Sequence, residues 1–63
     1  MDIEKTFEAV EKRAFDARKT MAEVCNDAGI SPQVWSRAKN RKAISVVTLR
    51  NVEGALDRIE ADQ

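Results

Sequence analysis

The sequence predicts a small all-α domain of four helices. Only 2 Gly and 1 Pro occur among 63 residues, and 35% of the residues are charged against 43% hydrophobic, a composition that favours helix. Apolar residues also recur at intervals of three and four, which is the spacing of a buried helical face. No repeat, linker or low-complexity tract interrupts the chain, so we expect residues 1–63 to form one domain with a small core.

The first helix is predicted from about Asp2 to Arg18. Asp2 is a suitable N-cap, and the acidic residues that follow it suit the positive end of the helix dipole. The predicted buried stripe consists of Ile3, Phe7, Val10, Ala14 and Ala17. Phe15 lies off this stripe, and we expect it to pack under a neighbouring helix.

A second, short helix is predicted to start at the capping-box pattern of Thr20 and Glu23. Its packed face consists of Met21, Val24, Cys25 and Ala28. Gly29 suits the left-handed residue that ends a helix, because glycine has no side chain to clash in that conformation. Ile30 is expected to point inward from this turn.

The third helix is predicted to follow immediately, because Ser31 is a good N-cap and Pro32 fits the first helical position. It is expected to reach about Asn40. At 100° per residue, Trp35 and Ala38 lie on one side and should be buried. The opposite side carries amide, hydroxyl and guanidinium groups and no acid: Gln33, Ser36, Arg37 and Asn40.

The last helix is predicted to start at Ser45 after a short connection. Its apolar stripe consists of Val46, Leu49, Val52, Leu56 and Ile59. Gly54 costs roughly 1 kcal/mol relative to alanine inside a helix, but the stripe is too regular for it to end this one. The acids beside the stripe are interpreted as surface residues rather than a metal site or an acid–base pair: Glu53, Asp57 and Glu60.

The charges are unevenly distributed, although 11 basic and 11 acidic residues give a net charge of zero. Residues 31–42 contain no acid and a local cluster of bases: Arg37, Lys39, Arg41 and Lys42. Arginine, glutamine and asparagine can pair with base edges in the major groove, and flanking cations can contact phosphates. A tight turn that holds such a helix face outward indicates a helix-turn-helix that reads DNA.

Residues 20–56 resemble the Cro/repressor-type (Xre) helix-turn-helix family of phage and bacterial regulators. The resemblance is carried by Thr20, Cys25, Gly29, Ile30, Ser31, the Ser36–Arg37 pair and the apolar pattern from Ser45 to Leu56. It implies a lambda-repressor-like domain of four or five helices, with the helix-turn-helix at about residues 20–40. It implies base reading by Gln33, Val34, Ser36, Arg37 and Asn40. It also implies phosphate contacts by Thr20, Lys39, Arg41 and Lys42.

The chain departs from the family pattern at several points. Met21 stands where many members have a phosphate-contacting glutamine, and Trp35 replaces the usual Ile or Val on the buried side of the recognition helix. Arg41 replaces the glycine that often follows that helix. The chain also ends near the point where many members begin a fifth helix. Family precedent places the dimer contact near the last helix, where Val47 lies off the main stripe.

The remaining residues indicate neither an enzyme nor a membrane protein. Cys25 is interpreted as a small buried residue, because the chain has no His to activate a thiol and no second cysteine for a disulfide. No apolar run approaches the ~20 residues of a membrane span, so a cytoplasmic, nucleoid-associated protein is expected. No metal, cofactor or small-molecule effector is expected in so short a chain.

The sequence therefore predicts a sequence-specific transcriptional regulator, a repressor or autoregulator, that binds double-stranded DNA in the major groove. It is expected to act as a homodimer on a palindromic operator. The alternative is a protein-interaction module, such as an antitoxin or phage-encoded adaptor, built on the same helices. The neutral net charge favours this alternative. In an arbitrary helical domain, the polar face of the third helix would simply be solvated.

Overall fold

A computed structural model describes residues 2–63 of the chain. Within them the backbone forms four helices: α1 (Ile3–Asp16), α2 (Met21–Asp27), α3 (Pro32–Arg41) and α4 (Val46–Ala61). The predicted all-α class and the four predicted helices are confirmed. None of these helices has both the length and the apolar composition needed to cross a bilayer.

Each helix starts at the polar residue that the sequence predicts. The caps are Asp2, Thr20, Ser31 and Ser45. In the capping box of α2, the Thr20 hydroxyl accepts a hydrogen bond from the Glu23 N–H at 3.2 Å, and the Glu23 carboxylate accepts one from the Thr20 N–H at 3.3 Å. Each cap accepts a hydrogen bond from an N–H group that has no partner within its helix. Because cap and amide are only two or three residues apart, the start of each helix depends on the nearby sequence alone.

Three residues in helix-ending turns adopt a left-handed backbone. Gly29 has φ +78° after α2, as predicted, and the Ile30 N–H then donates to the Cys25 carbonyl at 2.9 Å. Arg18 after α1 and Lys42 after α3 have φ 61° and 54° without being glycine. The left-handed residue after α3 is thus Lys42, whereas Arg41 still belongs to the helix.

The core lies between all four helices. Its buried side chains are Phe7, Val10, Ala14, Val24, Cys25, Trp35, Ala38, Val52, Ala55 and Leu56. The rings of Phe7 and Trp35 pack edge to face with their centroids 4.9 Å apart. Burial raises the pKa of the Cys25 thiol, which keeps it protonated as a packing residue. The predicted burial of Trp35 is confirmed, because only 3% of it is exposed.

Two predictions of burial are wrong. Phe15 is 79% exposed, because it lies about 100° around α1 from buried Ala14 and outside the packed face. Val46 is 63% exposed because it is the first residue of α4, and that helix joins the core only from Leu49 onward. Val47 is 70% exposed as well.

Candidate nucleic-acid interface

The outer side of α3 presents the five side chains that the sequence assigns to base reading. All five are exposed: Gln33, Val34, Ser36, Arg37 and Asn40. The opposite side of the helix is held by the buried residues Trp35 and Ala38. Because these two buried residues fix the rotation of α3 about its axis, the polar residues on the opposite side of the helix must face solvent.

The dimensions of α3 suit a DNA groove. Its 10 residues correspond to a rod of about 15 Å, and a major groove about 12 Å wide admits an α-helix. The N-terminus is already capped, since the Ser31 hydroxyl accepts from the Gln33 N–H at 3.2 Å. The Gln33 side chain at this end makes no such capping contact and is exposed.

Arg37 and Arg41 form no ion pair with any acid among residues 2–63. They border a shallow groove between α3 and the start of α4, whose other lining residues include Val34, Ile44 and Thr48. At the N-terminus of α4, the Ser45 hydroxyl donates a hydrogen bond to Thr48 Oγ1 at 2.7 Å. Sequence reasoning identified Ser45 only as a cap, because its position beside α3 depends on how the two helices pack.

Lys39 and Lys42, which are predicted to contact phosphate, form ion pairs with acids of α1 in the structure. The Lys39 ammonium lies 2.8 and 3.1 Å from the two carboxylate oxygens of Glu11, and the Lys42 ammonium lies 3.0 Å from Glu4. Each lysine would have to leave its carboxylate before it reached a phosphate. No sequence pattern indicated these pairs, since the acids belong to a different helix.

Glu11 joins α1 to α3 through two donors. Besides Lys39, the Trp35 indole N–H donates to its carboxylate at 3.2 Å. Partial burial raises the pKa of Glu11, but the hydrogen bonds from Lys39 and Trp35 outweigh it and leave the pKa below its ordinary value. In the other pair, the hydrogen bond to Glu4 raises the pKa of Lys42. Each of these two shifts favours the charged form of its group, the carboxylate of Glu11 and the ammonium of Lys42.

Thr20, the fourth residue predicted to contact phosphate, is exposed at the start of α2. Its oxygen accepts the Glu23 N–H in the capping box. A hydroxyl also carries a donor hydrogen, which stays available for a phosphate oxygen.

Two of the three acids noted on α4, Asp57 and Glu60, form ion pairs with α1. Arg13 on α1 lies 2.8 Å from Asp57 and 2.7 Å from Glu60. The hydrogen bond from Arg13 lowers the pKa of the Glu60 carboxyl. Among the described residues, no group of three or more His, Cys, Asp or Glu side chains is placed to hold a metal ion. Asp57 and Glu60 thus serve to join α4 to α1 through Arg13.

No family model matches the chain, and comparisons with curated proteins and with solved structures found no match. The resemblance to the Cro/repressor-type family therefore stays a prediction that rests on the residues named above.

Proposed function

We propose that the protein binds double-stranded DNA sequence-specifically through α3 and acts as a transcriptional regulator. The observation that carries this proposal is the outer face of α3, which exposes hydrogen-bonding side chains without an acid and includes Arg37, for which residues 2–63 provide no ion-pair partner. Buried Trp35 on the opposite side supports it, because a reading helix needs a fixed rotation. Repression or autoregulation would follow from occupying a promoter.

The side chains of α3 divide into base readers and backbone contacts. Arg37 is central on the outer face, where its guanidinium suits the two acceptors of a guanine. Gln33 and Asn40, four residues before and three residues after Arg37, suit adenine, and Val34 suits the methyl group of thymine. Arg41 at the end of the helix suits a phosphate oxygen. All five lie on one helix, so a single insertion into the groove would bring Gln33, Val34, Arg37 and Asn40 to neighbouring base pairs and Arg41 to the backbone.

The size of the molecule favours action as a pair. Its longest dimension is 32 Å and it carries one α3, so one copy covers about one turn of duplex. Two copies related by a two-fold axis would place their α3 helices in successive major grooves, about 34 Å apart. Val47, 70% exposed on α4, is available for the contact between copies.

A protein-interaction module is the second candidate. The exposed apolar side chains Phe15, Val46 and Val47 favour it, since more than half of each is open to solvent and an apolar surface suits a protein partner. This use of the scaffold does not require the polar face of α3.

Selection of bound sequences from random duplexes tests the proposal. The wild type is expected to enrich a defined motif, whereas Arg37→Ala should lose one position of that motif. Lys12→Ala, which removes an exposed charge from α1, is the control and should enrich the wild-type motif. Failure of the wild type to enrich any motif would favour the interaction module.

A further inference from the structure

Three acids form a row along the side of α1 that borders α3. Glu4, Glu8 and Glu11 are spaced four and three residues apart, so they lie on one face of the helix. Together with Lys39 and Lys42 they line one groove between the two helices. Within this groove Glu4 and Glu11 each hold a lysine, whereas Glu8 forms no ion pair in the part of the chain described.

The cationic cluster of residues 31–42 is therefore split between two sides of α3. Arg37 and Arg41 lie on the side toward α4 and form no ion pair within residues 2–63. The two lysines lie on the side toward α1, and each forms an ion pair with a glutamate. The sequence alone assigns a charge of +4 to this segment, but only two of the four cations are unpaired in residues 2–63.

We propose that Glu4 and Glu11 weaken the sequence-independent, electrostatic part of DNA binding by holding Lys39 and Lys42 in intramolecular ion pairs. This inference rests on the proposed DNA-binding function. The physical reason is competition between anions. A lysine that stays on its carboxylate displaces no cation from the DNA, and a lysine that moves to a phosphate must break its ion pair and leave an unpaired carboxylate near the negatively charged backbone.

Each lysine that stays paired with its carboxylate therefore contributes no release of cations. Since cation release drives sequence-independent binding, the lysines would add little to affinity for arbitrary DNA. Arg37 carries no such penalty and keeps its guanidinium free for a base edge. Because this electrostatic contribution falls for every sequence alike, a larger share of the affinity for an operator comes from base contacts such as those of Arg37.

The test is Glu4→Gln, measured on a non-specific duplex over a salt series. Freed from Glu4, Lys42 should strengthen non-specific binding about three- to eightfold near 0.1 M salt and steepen the salt dependence by about one unit per protomer. Glu8→Gln is the matched control: it removes the same charge from the same row, but no lysine is paired with it. It should strengthen binding less and leave the slope unchanged.

A second background distinguishes pair release from a general loss of negative charge. In Lys42→Ala, the Glu4→Gln change should no longer steepen the salt dependence, because the released cation is missing. Equal effects of Glu4→Gln and Glu8→Gln, or an undiminished effect in the Lys42→Ala background, would overturn the inference while leaving DNA binding intact. Absence of binding to any duplex by the wild type would overturn the proposed function and this inference with it.

Discussion

At the scale of single residues, Arg37 is the side chain on which base reading depends most. It is exposed in the middle of α3 and has no acidic partner in residues 2–63. Arg37→Ala should cost about 1–3 kcal/mol per half-site and relax the preference at one base pair. Binding to matched and mismatched duplexes measures both quantities.

Arg37→Lys is the informative control for this prediction. Lysine keeps the positive charge but lacks the planar fork that pairs with two acceptors. The variant should retain affinity for arbitrary DNA and lose discrimination at the same base pair. If Arg37→Ala weakened all duplexes equally, Arg37 would be a phosphate contact and the proposed reader would be wrong.

The left-handed residues Arg18 and Lys42 give a second prediction at this scale. A residue with a Cβ atom is strained at positive φ, so Arg18→Gly should raise the free energy of unfolding by about 0.5–1 kcal/mol. Lys42→Gly should raise it by less, because it also removes the exposed ion pair with Glu4. Urea denaturation of both variants measures the difference. Destabilisation by Arg18→Gly would contradict the backbone assignment.

At the scale of elements, the contact between α1 and α3 depends on Trp35. Its ring packs on Phe7, and its indole N–H donates to Glu11. Trp35→Ala should cost about 3–5 kcal/mol, which is comparable to the whole stability expected of a 63-residue domain at roughly 0.1 kcal/mol per residue. Circular dichroism should therefore show a marginally stable chain that unfolds at a much lower temperature than the wild type.

Trp35→Phe separates packing from hydrogen bonding at the same position. Phenylalanine keeps an aromatic ring but no donor for Glu11, so a smaller loss of about 1–2 kcal/mol is expected from chemical denaturation. A Trp35→Ala variant with near-wild-type stability would show that α3 is not anchored through this ring.

At the scale of the whole molecule, the proposed dimer makes a prediction about the DNA itself. Two α3 helices in successive grooves require half-sites whose centres lie about one helical turn apart, at 10–10.5 base pairs. Sequences selected from random duplexes should therefore be inverted repeats with that spacing. Full-affinity binding of one copy to a single asymmetric half-site would contradict the dimer.

Local sequence patterns were sufficient to predict the four helices and most of the core. Thr20, Ser31 and Ser45 mark helix starts because a cap bonds to amides only two or three residues away. The spacing of Trp35 and Ala38 likewise indicated which side of α3 is buried, and therefore which side chains face outward. Both kinds of inference need no knowledge of how helices pack against each other.

What only the tertiary structure decided is which charges of this chain remain unpaired. Lys39 pairs with Glu11, 28 residues away in the sequence, and Lys42 pairs with Glu4, which lies on α1 like Glu11. Arg37 and Arg41 face the start of α4 and pair with no acid in residues 2–63. Phe15 is exposed for a related reason, since no helix covers its side of α1. A sequence pattern reports the rotation of a side chain about its own helix, but its partner depends on the packing of distant helices, which such a pattern does not encode.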